Sequence, residues 1–291
     1  MFNGSIVALV TPMDQHGRLD ISSLRRLIDF HLQSGTSALV VAGTTGESAT
    51  LDHDEFIELV AAVTGHVAGA IPVIAGTGTA STTKSVEMTL RAAELKADAV
   101  LVVMPYYNRP TQSGLKAHFR AIADASSIPV ILYNVPPRTG TDMAPDTALE
   151  LAAHERIVGI KEAVADMARI QRLVGERPEG FCVLSGDDGS CAEAMSLGAE
   201  GVISVAANVD PRRMSALCTA ATAGDRERCG QLDSELRELF AAMGIEPNPI
   251  PAKWALAEMG LIGPGIRLPL QTLDSRHHAT VRSCLKNLEL A

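Results

Sequence analysis

The sequence predicts an α/β protein: a (β/α)8 barrel over residues 1–224, followed by a C-terminal helical subdomain over residues 225–291. Three observations predict it. Eight short apolar runs rich in β-branched residues recur about every 25 to 30 residues, each followed by a segment of helical period, as in βα units on a parallel sheet. The runs are nearly continuous in hydrophobicity, as strands covered on both faces are. After residue 224 the strand-like runs stop and only helical segments follow. Eight equal units favour closure into a barrel, which typically takes about 250 residues, over a doubly wound sheet with fewer strands and a glycine fingerprint after the first.

The first run, SIVALVTP (5–12), leads into Met-Asp with no such fingerprint. The second, ALVVAG (38–43), runs into GTTGES (43–48), where Gly43 and Gly46 remove side-chain bulk around Thr44 and Thr45. That string has two readings, a backbone cradle for an anion or a turn that caps the next helix. The third run, IPVIAGTG (71–78), overlaps GTGTAS (76–81), which lacks a third glycine and reads as turn chemistry. The fourth, AVLVVMP (99–105), ends in Tyr106 and Tyr107, suited either to packing or to a site. The fifth, PVILYNVP (129–136), carries Tyr133 and, beyond two prolines that stiffen the loop, Arg138, which is either solvated or part of the same rim. The sixth, IVGIKEA (157–163), ends on Lys161, and FCVLSGDD (181–188) and GVISVAA (201–207) complete the set. The helical part reads as DRERCGQLDSELRELFAAM, NPIPAKWALAEMG and LDSRHHATVRSCLKNL, with the prolines of EPNPIP breaking one helix before the next begins.

Composition narrows the partners. The chain has 291 residues, 46% hydrophobic and 20% charged, and no apolar run near the roughly 18 residues of a membrane span. A net charge of −9 without a basic cluster argues against nucleic acid and leaves a small molecule as the expected ligand. The N-terminus lacks a basic region before its short apolar stretch, so a cytoplasmic location is expected. Five cysteines with no CxxC pair argue against a disulfide framework and a zinc site.

In a barrel of this type reactive groups sit at the C-terminal ends of the strands. One rim then holds an amine, phenols, threonine hydroxyls and a guanidinium, the set that Schiff-base chemistry on a keto acid needs. A lysine in a strand either snorkels to the surface or is buried for a purpose. An apolar barrel mouth disfavours the charged form and leaves an amine able to attack a ketone. A tyrosine within reach, relayed through a hydroxyl, suits the proton transfers, and an arginine can hold a carboxylate through two parallel bonds. With no HExxH or clustered His/Asp set on the rim, a metal-dependent aldolase is the weaker reading.

Taken together, ALVTPMD, GTTGES, PVIAGTG, PYYNRPTQSGL, YNVPPRTG, GIKEA, SGDD and NPIPAKWAL resemble, in this order and nearly end to end, the dihydrodipicolinate synthase family of pyruvate-dependent aldolases, which are related to N-acetylneuraminate lyase. The resemblance implies condensation of pyruvate with L-aspartate semialdehyde on the way to diaminopimelate and lysine, with no cofactor and no metal. It makes Lys161 the Schiff-base lysine, Tyr133 the proton donor and acceptor, and Thr44 and Tyr107 the rest of a relay. Tyr107 would act in the neighbouring subunit of a homotetramer built as a dimer of dimers. Thr45 would bind the pyruvate carboxylate, Arg138 the carboxylate of the semialdehyde, and Gly186 and Ile203 would contribute main-chain groups. Arg138 favours the semialdehyde over sugar-acid substrates; the alternative is a related aldolase with another aldehyde. A silent homologue is not expected, because Lys161 and Tyr133 are both present. Lysine-inhibited relatives bind the product at a subunit interface near positions that here read Ser48, Ala49, His53, Phe56, Ala80, Lys84 and Tyr106. Phe56, Ala80 and Lys84 depart from the usual polar and acidic residues, so weak or absent inhibition by L-lysine is expected.

Overall fold

The computed structural model describes residues 2–291. Eight parallel strands, β1 (Gly4–Ala8), β2 (Ala38–Val41), β3 (Val73–Gly76), β4 (Ala99–Val103), β5 (Val130–Asn134), β6 (Ile157–Glu162), β7 (Cys182–Ser185) and β8 (Gly201–Ser204), pair in chain order. Pairing of β1 with β8 closes the barrel. Between and after them lie α1 (Ile21–Leu32), α2 (His53–Val67), α3 (Thr82–Glu94), α4 (Gln112–Ala125), α5 (Pro136–Thr139), α6 (Pro145–Leu151), α7 (Met167–Glu176), α8 (Cys191–Ser196) and α9 (Pro211–Thr222). The chain then continues in helices alone, α10 (Arg226–Met243), α11 (Ile250–Glu258) and α12 (His278–Asn287). The expected (β/α)8 barrel with a C-terminal helical part is therefore the fold.

Alternation along the strands sorts the apolar side chains into two layers. Ile6, Ile74, Leu101, Ile131, Leu184 and Ile203 fill the barrel. Val7, Leu39, Val100, Leu132, Val183 and Val202 point outward and pack under the helices. The strands are shorter than the apolar runs, because the last residues of each run leave the sheet to make the mouth. In the first run, for example, the Val10 N–H donates to Asn208 Oδ1 at 3.0 Å.

Helix starts follow local chemistry. Asp20, Ser81, Thr111, Asp166, Asp210 and Asp225 each cap a helix N-terminus with a side-chain oxygen. The two prolines after β5 do more than stiffen a loop: Pro136 opens the single turn α5, where a missing N–H costs nothing. The five cysteines are all buried and unpaired. Among the described residues no helix is long and apolar enough to cross a membrane.

Candidate active site

Lys161 and Tyr133 are directly opposed across the β5–β6 ladder. Both are buried, at 5% and 7% exposure, and the Lys161 Nζ lies 4.4 Å from the centroid of the Tyr133 ring. The amine therefore does not snorkel to solvent. A β-bulge aims it. β5 pairs Val130 with Ile157 but Ile131 with Gly159, so Val158 is an extra residue in β6. Ile157 points outward, and strict alternation from it would turn Lys161 outward as well; the inserted residue reverses the parity and turns Lys161 into the barrel. Gly159 permits the irregularity, since a Cβ there would meet Cys182 Sγ at 2.3 Å.

The neighbouring strand ends complete the setting. Tyr133 and Ile203 both belong to the packed barrel interior. Gly186 follows β7; its N–H donates to the Glu162 carbonyl at 2.7 Å, and a Cβ there would stand 3.0 Å from Lys161 Cε. Gly186 also lines a cavity of about 500 Å3 together with Asn248.

The threonines of GTTGES, in the loop after β2, do not cap the helix that follows. Helix α2 is capped by Asp52 in a capping box with Glu55, not by the threonines. Thr45, 2% exposed, accepts a hydrogen bond at Oγ1 from Asn248 Nδ2 at 3.0 Å. Thr44 lines a cavity of about 340 Å3 together with Arg138. Arg138 is on α5 and is exposed, with one Nη2 donating to the Asn248 carbonyl at 3.2 Å.

Ser48, Ala49, Phe56 and Tyr106 line the same cavity, so four of the seven expected effector positions open onto the space that holds Thr44 and Arg138. His53 is exposed at the first residue of α2, Lys84 is exposed on α3, and the Ala80 carbonyl accepts from Asn108 Nδ2 at 2.8 Å; none of the three lines that cavity. Tyr107 stands apart from all of these, 95% exposed on a backbone with φ of 72°.

Sequence reasoning missed two parts of this arrangement. Asn248 joins both cavities and touches the Thr45 hydroxyl and the Arg138 guanidinium, although it lies in the helical part of the chain. Its signal was the proline-bracketed NPIP string, which marks a fixed backbone but not its destination. The second part lies behind β5 and β6, where Glu162, at 1% exposure, has its carboxyl pushed up to about 7 by burial. Asn134 Nδ2 donates to both of its oxygens at 3.0 Å.

Residues 1–288 match the model of the Dihydrodipicolinate synthetase family. The 4-hydroxy-tetrahydrodipicolinate synthase of Ectopseudomonas mendocina is 54% identical over 286 residues, 98% of each chain. The chloride-inhibited dihydrodipicolinate synthase of Acinetobacter baumannii, solved with pyruvate, superposes with a TM-score of 0.99 at 45% identity over 100% of both chains. That of Aquifex aeolicus gives 0.97 at 44% identity over 99% of both. A closed barrel with a lysine and a tyrosine paired at the ends of β5 and β6, matched over its whole length at this level of identity, places the chain in the dihydrodipicolinate synthetase family.

Proposed function

We propose that this chain catalyses the 4-hydroxy-tetrahydrodipicolinate synthase reaction, condensing pyruvate with L-aspartate semialdehyde, the first committed step toward diaminopimelate and lysine. The observation that carries the reading is the buried amine of Lys161 held 4.4 Å from the ring of Tyr133 on the adjacent strand.

In this reading Lys161 Nζ adds to C2 of pyruvate, and the carbonyl oxygen takes two protons and leaves as water, so a C=N bond replaces C=O. The iminium then draws electrons from the methyl group, which gives up a proton to form an enamine. The enamine carbon attacks the aldehyde carbon of the semialdehyde, whose oxygen takes a proton. The amino group of the joined product displaces Lys161 from the imine carbon, which closes the ring and frees the lysine. The iminium is the electron sink, so these steps call for no metal or organic cofactor.

Tyr133 carries the protons, relayed through Thr44 and Tyr107. Thr45 and adjacent backbone amides hold the pyruvate carboxylate, Arg138 takes the carboxylate of the semialdehyde, and Gly186 and Ile203 offer main-chain groups. Residues 1–224 supply the reacting groups, and residues 225–291 reach back over the mouth through Asn248. A biosynthetic reaction of this kind fits a cytoplasmic enzyme, which cell fractionation would check.

The exposure of Tyr107 supports a homotetramer, a dimer of dimers, in which this phenol enters a neighbouring copy. Mixed subunits test that: inactive Lys161→Ala and inactive Tyr107→Ala chains should regain activity on exchange, and no recovery would mean that each chain works alone.

The principal test is pyruvate consumption with L-aspartate semialdehyde. Lys161→Ala should abolish it, and Arg138→Ala should lower kcat/KM for the semialdehyde by about tenfold or more. No turnover in the wild type, with borohydride still trapping pyruvate on Lys161, would keep the Schiff base and overturn the acceptor.

A further inference from the structure

Directly behind the Lys161–Tyr133 pair lies a second pair that the reaction does not use. Asn134 and Glu162 are the next residues along β5 and β6 and the last opposed pair of that ladder. They point away from the barrel interior, where the strands otherwise present aliphatic side chains such as Leu132 and Ile160 to the helices. Asn134 is 0% and Glu162 1% exposed. A buried carboxylate and amide at such a place are costly, and apolar residues of the same volume would serve stability at least as well.

The contacts show what the polar groups accomplish. Asn134 Nδ2 donates to both Glu162 oxygens at 3.0 Å and to Asp142 Oδ1 at 2.8 Å, while Asn134 Oδ1 accepts from the Met143 N–H at 3.0 Å. Glu162 Oε1 accepts from the Val164 N–H at 2.9 Å. Arg169 on α7 donates to Glu162 Oε2 at 3.4 Å and to the Met143 carbonyl at 2.8 Å, and it pairs with Asp142. Every contact to the Glu162 carboxyl comes from a donor, so the group is fully used without reaching into the mouth.

We propose that Asn134 and Glu162, braced by Arg169 and Asp142, form a register lock that positions Lys161 and Tyr133 for the proposed reaction. The need for a lock comes from the bulge. β6 carries one extra residue at Val158, and its register beyond that point is what turns Lys161 inward. A slip by one residue would exchange the faces, sending Lys161 outward and Glu162 into the mouth. Aliphatic side chains make no directional bond across the ladder, whereas the Asn134–Glu162 bonds exist in only one register. Fixing register is the best-attested use of a buried polar pair.

The proposal rests on the Schiff-base reading, so the experiment begins with borohydride trapping of pyruvate on wild-type Lys161; no adduct there would sink that reading and the proposal with it. With trapping established, kcat/KM for pyruvate per folded subunit is compared for Glu162→Leu, Glu162→Gln and Arg169→Met, each with its melting midpoint. Leucine keeps the volume and removes every bond; glutamine keeps an oxygen able to accept from Asn134 and Val164. The expected result is a loss of at least tenfold in Glu162→Leu and of less than threefold in Glu162→Gln. If the leucine variant does not fold, Arg169→Met, which loosens the same cluster from a helix, decides through a loss of more than threefold. A folded Glu162→Leu enzyme within threefold of wild type would overturn the proposal. So would a glutamine variant as impaired as the leucine one, or, where leucine fails to fold, an Arg169→Met enzyme within threefold of wild type. A purely structural role would lower the melting midpoints and leave the rate per folded subunit unchanged.

Discussion

The amine of Lys161 has room because position 186 has no side chain. A Cβ built at Gly186 would lie 2.8 Å from Ala163 Cβ and 3.0 Å from Lys161 Cε, closer than such atoms pack. Gly186 follows β7 while Lys161 is on β6, so a single methyl group on one strand end would push the reactive stem of its neighbour. Gly186→Ala should therefore lower kcat/KM for pyruvate by about tenfold through misplacement of the amine. The melting midpoint should fall as well, because the same Cβ meets Ala163 Cβ at 2.8 Å and Ala163 Cα at 3.0 Å, and a Cβ and a backbone atom cannot swing aside. Steady-state kinetics beside a thermal melt would check this, and a wild-type rate would mean that the lysine stem yields without consequence. The opposite case is Cys182, whose thiol is buried in the barrel and pushed up to about 12 by that burial; it acts there as a small apolar group.

At the scale of elements, the threonine loop after β2 is held from the far end of the chain. Glu47 takes a left-handed backbone at φ 57°, with its carboxylate buried against Lys253 of α11. Burial drives the Lys253 ammonium below its usual range, and the Glu47 carboxylate opposes that shift. The Arg267 N–H donates to the same carboxylate at 3.1 Å, and its guanidinium reaches the Gly17 and Thr50 carbonyls at 2.7 Å and Glu55. Asn248, at the approach to α11, completes the set on Thr45. Lys253→Met keeps the stem and removes the charge, leaving Glu47 buried and unpaired. It should cost about 3 kcal/mol of stability, seen in chemical denaturation. KM for pyruvate should also rise, because the loop that carries Thr44 and Thr45 loses its anchor. An unchanged denaturation midpoint would mean that water replaces the lysine without loss.

For the whole molecule, the expected insensitivity to L-lysine rests on the cavity that joins Thr44 and Arg138 to Ser48, Ala49, Phe56 and Tyr106. Phe56 is 2% exposed and supplies an apolar wall where a charged effector needs a polar partner. Lys84 is exposed on α3 and would repel an ammonium rather than receive it. We expect L-lysine to inhibit weakly or not at all. Initial rates across millimolar L-lysine would check this, and inhibition there that disappears on replacing His53 or Tyr106 would refute it.

Much of this was legible from the residues alone, for reasons that are local. β-branched runs separated by helical segments dictate a parallel barrel, because each strand must be covered on both faces. The same pattern places polar groups after the runs, so Lys161, Tyr133, Arg138 and the two threonines stand at the strand ends where such barrels do chemistry. The family resemblance of GIKEA, YNVPPRTG and GTTGES then assigned them roles. Three things were decided only in three dimensions. The inward direction of Lys161 depends on the extra residue at Val158, and a bulge carries no periodic signature. The contact of Asn248 with Thr45 spans 203 positions, a distance over which no local pattern reports. The Asn134–Glu162 pair reads along the chain as ordinary strand-end polarity; it becomes a cross-link only because the closed sheet sets β5 beside β6. Local propensity and hydrophobic period determine which elements form and which residues end them, whereas register and long-range closure determine which of those ends meet.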